Sequence, residues 1–273
     1  MNIKKVGKGK VHLIAGGGKC YTDIAARFVG SERSVDDIIG SSYNKKIVEN
    51  IVSSGHEACT EFDYFIFGVE GYARVTEVQL VRKRLASYMI KSGRVEKKGK
   101  RSFDVVLPDD IMYFVVNDYQ MKPTDIMVDD QLLSTLLPNA KDITIDFDSF
   151  DLLYMLEAWY NEGIDQGIKE EDLRYMKPQA TEFKGIIGMN AHALKDWFKI
   201  RCCKNAQTGI RDMANKMLKI CKNTLPDLFI DAGANCISLK YCPENKRQNS
   251  KCKGNIITHD EVKRLIKKED ING

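Results

Sequence analysis

The spacing of apolar residues changes several times along this chain, and each change marks an element. VHLIA (residues 11–15) reads as a strand, Gly16 to Gly18 as a turn, and TDIAARFVG as the opening of a helix. Between Tyr43 and Ser53, Ile47, Val48 and Ile51 recur at helical spacing; Gly55 then supplies a stop and leaves His56 just beyond the helix. In EFDYFIFGVEG (61–71), Phe62, Tyr64 and Ile66 alternate with Phe65 and Phe67, the pattern of a central strand covered on both faces. From Gly71 to Tyr88 no proline intervenes, and Val75, Val78, Val81 and Leu85 form the stripe of an amphipathic helix that leaves near Gly93. Two further helices follow. Residues 150–162 turn Leu153, Leu156 and Trp159 inward, and residues 190–221, the longest candidate, bury Leu194, Trp197, Phe198, Met213 and Met217. Residues 103–147, interrupted by Pro108, Pro123 and Pro138, offer only short apolar runs.

Composition narrows the class. With 273 residues, 43% of them hydrophobic, the chain can bury one substantial core or two small ones. Its 42 Lys and Arg against 38 Asp and Glu leave a formal charge of +4, too small a surplus to imply nucleic-acid binding. No apolar run reaches the roughly 18 to 20 residues of a membrane span, and residues 1–10 lack an apolar signal core, so a cytoplasmic location is expected. The adjacent pair Cys202 and Cys203 suits a reducing compartment better than a disulfide framework. Cys236, Cys242 and Cys252 with His259 lack a close CxxC pair, which favours packed thiols over structural zinc, and no metal site is expected. Gly16 to Gly18 lack the spacing of a nucleotide-binding loop.

The candidate chemistry lies in arginines. On a helix of about 100° per residue, Gln79, Arg82 and Ala86 share one face and Arg84 points elsewhere. Ser92, Gly93 and Arg94 then combine open backbone N–H groups with a guanidinium, an arrangement suited to a phosphate. The segment 91–101 reads as a solvated loop or a lid over an anionic ligand. On the last long helix, Asn190 and Arg201 come out about 20° apart, with Arg201 near the apolar stripe. A half-buried guanidinium there calls for a carboxylate partner or an anionic ligand.

RKRLASYMIKSGR (82–94) resembles the signature RHRxxSxNExSxR of the flavin-dependent thymidylate synthases. Arg82, Arg84, Ser87, Ser92 and Arg94 match it. Lys83 stands where the signature has His, and Met89 and Ile90 where it has Asn and Glu. Upstream, Gly55-His56-Glu57, Glu61, the Phe-rich strand and Gln79 keep the family's order. Downstream, Arg174 with Pro178, then Asn190, Arg201, Ala206-Gln207 and Ile210-Arg211 resemble its second half, with His192 in place of an arginine. The similarity runs over about residues 20–225, and the cysteine-bearing tail resembles the ends of some members.

The resemblance implies an α/β (α+β) fold with a central, mostly antiparallel sheet flanked by helices. It implies a catalytic domain at 1–225, with 226–273 as a C-terminal extension packed on the same domain, and a homotetramer whose active sites are shared between chains. By matched position, Gln79, Arg82, Ser92, Gly93, Arg94, Arg174 and Arg201 would bind deoxyuridylate (dUMP), with Arg174 offered from a neighbouring chain. His56, Glu61, Arg82, Lys83, Arg84, Asn190, His192 and Asn205 would face FAD. NADPH and 5,10-methylenetetrahydrofolate are the implied co-substrates. The protein's part is to bind, orient and polarise, with Arg201 stabilising charge on the uracil and His56 beside the flavin and folate. The departures leave two alternatives: a flavoenzyme modifying another pyrimidine nucleotide, and a catalytically silent homologue that binds nucleotide or flavin.

Overall fold

The computed structural model describes residues 2–92, 102–121, 143–243 and 252. The chain forms two compact units, one of Met1–Lys5 with Gly93–Thr181 and one of Val6–Ser92 with Glu182–Gly273.

In the smaller unit, β1 (Ile3–Lys5) runs parallel to β5 (Val105–Leu107). A second pair, β6 (Val115–Met121) and β7 (Ile143–Asp148), is antiparallel. Between these pairs lies the single turn α5 (Asp109–Met112). Asp148 caps α6 (Ser149–Asp165), accepting from the backbone of Phe150 and Asp151, while Asp151 accepts from the Asp148 N–H. A short helix, α7 (Glu170–Leu173), follows. Phe103, Val105, Leu107, Leu153, Tyr160 and Leu173 form its core, with Phe103 and Tyr160 edge to face at 6.0 Å. Of the stripe expected on α6, Leu153 is buried and Leu156 packs on the core, but Trp159 is 68% exposed and its neighbour Tyr160 is buried instead. Gly163 lies on the same packed side, where a Cβ would come within 2.2 Å of the Leu173 side chain.

The larger unit carries a four-stranded antiparallel sheet of order β2 (Lys10–Ala15), β3 (Tyr64–Ala73), β8 (Glu182–Asn190) and β4 (Ser87–Ile90). β3 is interior, as its sequence suggests, and pairs with β8 from Tyr64↔Asn190 to Ala73↔Glu182. Phe65, Phe67 and Val69 from β3 and Ile187 and Met189 from β8 line one face. Against it pack α8 (Ala191–Arg201), through Leu194, Trp197 and Phe198, and α9 (Thr208–Thr224), through Ile210, Met213, Met217 and Cys221. Each large side chain in this layer contributes about 1.5–3 kcal/mol by leaving water. Leu228, Phe229 and Ala232, beyond the expected boundary at 225/226, belong to the same core.

Before the sheet, α1 (Tyr21–Val29), α2 (Val35–Ile39) and α3 (Lys45–Ser54) lead to Gly55, whose φ of +75° ends α3 in the left-handed conformation glycine adopts without strain. Asp63 ties this region to the sheet. Its buried carboxylate accepts from the backbone N–H groups of Tyr21 and Thr22, each at 2.8 Å, and from the Thr22 hydroxyl, so it caps α1 from outside the helix.

Three expectations are corrected. The strand predicted at 61–71 begins at Tyr64, because 57–62 form a 3-10 turn; among the described residues Phe65, Phe67 and Val69 are buried on one face, while Tyr64 on the other is exposed. The helix predicted over 71–88 is α4 (Arg74–Leu80), buried through Thr76 and Leu80, while Val78, Val81 and Leu85 face outward. Beyond it, residues 87–90 pair with β8, and that hydrogen bonding overrides the helical spacing of Val81 and Leu85. The helix predicted over 190–221 is two helices, α8 and α9, separated at 202–207.

Candidate functional site

Gln79 stands in the last turn of α4, half-buried, and Arg201 is the last residue of α8. The break after α8 lets the Arg201 guanidinium reach back, donating to the Gln79 side-chain oxygen at 3.4 Å and its backbone carbonyl at 3.1 Å. Gln79 in turn donates to the side-chain oxygen of Gln207. The carboxylate partner expected as one option for Arg201 is absent among the described residues; amide and carbonyl oxygens hold it instead. Burial first, and then the nearby Arg82, push the Arg201 guanidinium below its ordinary value. Two guanidiniums close enough to disfavour each other, one half-buried without a carboxylate partner among the described residues, are chemically suited to an anion.

The first part of the signature segment, residues 82–86, lies in a turn instead of a helix and leads into β4, so the predicted common helical face of Gln79, Arg82 and Ala86 does not exist. The Tyr88 hydroxyl pins this turn, lying 2.9 Å from the carbonyls of both Leu80 and Lys83. Arg82 and Arg84 are left exposed on either side of half-buried Lys83. Lys83 lies 3.7 Å from Asp196, as does His192, through its Nε2, at 3.8 Å, while Lys199 donates to Asp196 at 3.0 Å. Burial raises the Asp196 carboxyl, but Lys199, Lys83 and His192 outweigh it and hold it below the usual carboxylate range. The other ring nitrogen of His192 is 3.8 Å from Glu57 and has no hydrogen-bond partner among the described residues. Glu57 also pairs with Lys195, which is only 2% exposed and lies 3.1 Å from Asp231. The 3-10 turn carrying Glu57 is thereby fastened to α8.

Asn190 is the N-cap of α8, accepting from the Ala193 N–H at 2.8 Å, so it does not share a helical face with Arg201. His56 is exposed between α3 and the 3-10 turn, with its ring 3.3 Å from the Ser54 hydroxyl, and Glu61 is exposed at the far end of that turn. Asn205 lines a cavity with Arg201 in the break between α8 and α9. Ser92 is exposed at the end of the described signature, while Gly93, Arg94 and the loop 93–101 lie outside the described residues. Arg174, exposed at the start of a 3-10 turn, belongs to the smaller unit.

The structure thus brings Gln79 to Arg201, with Arg82 close by, and Lys83 to His192. Glu57, Lys195, Asp196 and Lys199 complete these clusters but were missing from the candidates. A signal existed for two of them: His192, Asp196 and Lys199 follow at i, i+4 and i+7, one polar face on an otherwise buried helix.

The solved structure of a UMP/dUMP methylase, PolB from Streptomyces cacaoi, bound with 5-Br dUMP, shares this fold with a TM-score of 0.61 and 18% identity, over 85% of this chain and 98% of that one. The chain is 30% identical to the flavin-dependent thymidylate synthase of Geobacter sulfurreducens over 252 residues, 92% of this chain and 90% of that protein. To the enzyme of the same description from Nitratidesulfovibrio vulgaris it is 34% identical over 200 residues, 73% of each. Residues 18–227 match the thymidylate synthase complementing protein family. With such a match over most of its length, the chain belongs to this family of flavin-dependent thymidylate synthases.

Proposed function

We propose that the chain catalyses the reductive methylation of dUMP to dTMP, with FAD as cofactor and 5,10-methylenetetrahydrofolate and NADPH as co-substrates. The observation that carries this reading is the half-buried Arg201, without a carboxylate partner among the described residues, held by Gln79 next to Arg82. Such a charge needs an anionic or strongly accepting partner, and a pyrimidine nucleotide offers both a phosphate and ring carbonyls. Arg201 would stabilise the charge that develops on the uracil, an interaction stronger in the transition state than in the ground state.

The residues toward the cofactor fit a diphosphate-bearing group. Arg82, Lys83 and Arg84 bring three cations to one short turn, and the buried ring nitrogen of His192 is free to take a hydrogen bond. When bound, the flavin would supply the hydride and folate the one-carbon unit. Arg82, Lys83 and Arg84, with Asn190, His192, Asn205, Glu61 and His56, would hold and orient it. The exposed apolar sheet face at Tyr64, Met89 and Ile186 supports a homotetramer, in which Arg174 would come from a neighbouring chain. Ser92, Gly93 and Arg94 would cradle the nucleotide phosphate, and a cytoplasmic location supplies reduced pyridine nucleotide.

A second reading, methylation of the ribonucleotide UMP, has one specific support. Met89 and Ile90 remove two polar groups from the signature, and PolB is solved with 5-Br UMP as well as 5-Br dUMP. The test is anaerobic reduction of the purified flavoprotein followed by dUMP or UMP with methylenetetrahydrofolate. Flavin reoxidation with dTMP formation is expected. Methylated UMP alone would establish the second reading, and bound flavin with neither product would mark a silent homologue.

A further inference from the structure

Five of the eight cysteines line one cavity. Cys202, Cys203, Cys236, Cys242 and Cys252 border a space of about 670 Å³ beside the break between α8 and α9. Cys203 lies in that break, Cys236 in the first turn of α10 (Asn235–Leu239), and Cys242 just after α10, while Cys252 joins from farther along the chain. Burial pushes the Cys236 thiol up, and the thiols of Cys203, Cys242 and Cys252 act in the same direction, so these three are its neighbours. Cys202 has different company: beyond the adjacent Cys203, its electrostatic neighbours are Lys222 and the buried Cys221. All eight cysteines are free.

The surroundings are one-sided in charge. Lys199, Lys204 and Lys222 border the cavity, and no Asp or Glu is among its described lining residues. Lys199 is already balanced by Asp196 at 3.0 Å, whereas neutral thiols give Lys204 and Lys222 no counter-charge.

We propose that Cys203, Cys236, Cys242 and Cys252 form a structural site for a thiophilic divalent metal ion, zinc by chemical class. One zinc ion would replace four thiol protons, forming a tetrathiolate of net charge −2 and releasing four protons, with no change in oxidation state. Lys204 and Lys222 then gain a counter-charge beside the centre. Among the described residues no three His, Cys, Asp or Glu side chains yet converge on a metal position. Protonated thiols gain little by converging; zinc, at about 2.3 Å from each sulfur, would draw them to about 3.8 Å from one another. The set lacks a close CxxC pair, so the spacing alone conceals it. The fold supplies Cys203 where the sequence offered His259, which lies outside the described residues.

The site is tested on the full chain purified without chelators from zinc-supplemented medium. Elemental analysis is expected to find about one zinc per chain. Cobalt(II) added to the reduced, metal-free protein should give sulfur-to-metal charge-transfer and tetrahedral ligand-field bands. Both readouts should collapse in Cys236→Ser and Cys252→Ser and persist in Cys20→Ser and Cys59→Ser, whose cysteines lie outside the cavity. Wild-type protein with neither zinc nor the cobalt bands overturns the proposal, as do bands unchanged by Cys236→Ser and Cys252→Ser. The wild-type cobalt titration decides the matter even where a variant fails to fold.

Discussion

Replacing Arg201 with alanine separates a ligand-binding guanidinium from a structural one. In the absence of ligand its bonds to Gln79 are long, at 3.4 and 3.1 Å, and together contribute about 1 kcal/mol. The substitution also removes a half-buried charge that burial and Arg82 both disfavour, so the net change in stability should stay within about 1 kcal/mol. With nucleotide bound, the same guanidinium would make a charge-assisted bond of about 1.5–3 kcal/mol, equivalent to a Kd raised about 10- to 150-fold. Arg201→Lys should fall between, because an ammonium keeps the charge but loses the planar fork. Calorimetric titration with dUMP at fixed salt, run beside urea unfolding, reads both quantities. Unchanged affinity in a folded Arg201→Ala protein would remove Arg201 from the nucleotide site. Lost affinity with a fall of several kcal/mol in stability would make it part of the scaffold instead.

Asp63→Ala leaves the backbone donors of Tyr21 and Thr22 without their acceptor and should cost about 2–5 kcal/mol in urea unfolding, with Asp63→Asn milder; a change below about 1 kcal/mol would refute its capping role. Lys195→Met strands Glu57 and Asp231 at a nearly sealed position and should cost about 3–5 kcal/mol, partly recovered by Glu57→Gln in the same chain. Asp196 contributes through its lowered carboxyl. That contribution is fully present above its unfolded value of about 3.9 and is lost as pH falls through the lower folded value, so Asp196→Asn should flatten the acid limb of the stability curve; an unaltered limb would contradict the assignment.

Elements set by short-range rules were legible. The α3 stop at Gly55, the interior place of β3 and the buried positions of α8 and α9 all follow from glycine conformation or side-chain periodicity. What failed depended on partners distant in sequence. Residues 81–90 carry a plausible helical stripe, but β8 offers residues 87–90 an open edge, and pairing with it overrides a weak preference. The Arg201–Gln79 contact spans two segments that only the break after α8 brings together; periodicity through 190–221 hid that break, because the same buried face resumes on α9. Trp159 follows Leu153 and Leu156 at helical spacing, yet Tyr160, packed edge to face on Phe103, takes the buried place beside it.

Lys83, His192 and the pair Met89-Ile90 are separate departures from the family signature in sequence, but in the structure they fall into two groups. Lys83 and His192 approach the same carboxylate, Asp196, at 3.7 and 3.8 Å. An ammonium on a flexible stem and an imidazole differ in reach and hydrogen-bond direction, yet one acidic residue between them can orient both. The two departures therefore belong to one rearranged polar cluster on α8, and each is physically reasonable in the presence of the other. Met89 and Ile90 are different. They are neighbours on β4, opposite Ile186 and Gly185, so Met89 points to the open sheet face while Ile90 packs against the core. They change the strand within the signature segment, not the cluster around Asp196. If the proposed site assignments hold, an altered substrate preference is to be sought at Met89 and Ile90, and an altered hold on the flavin at Lys83, His192 and Asp196.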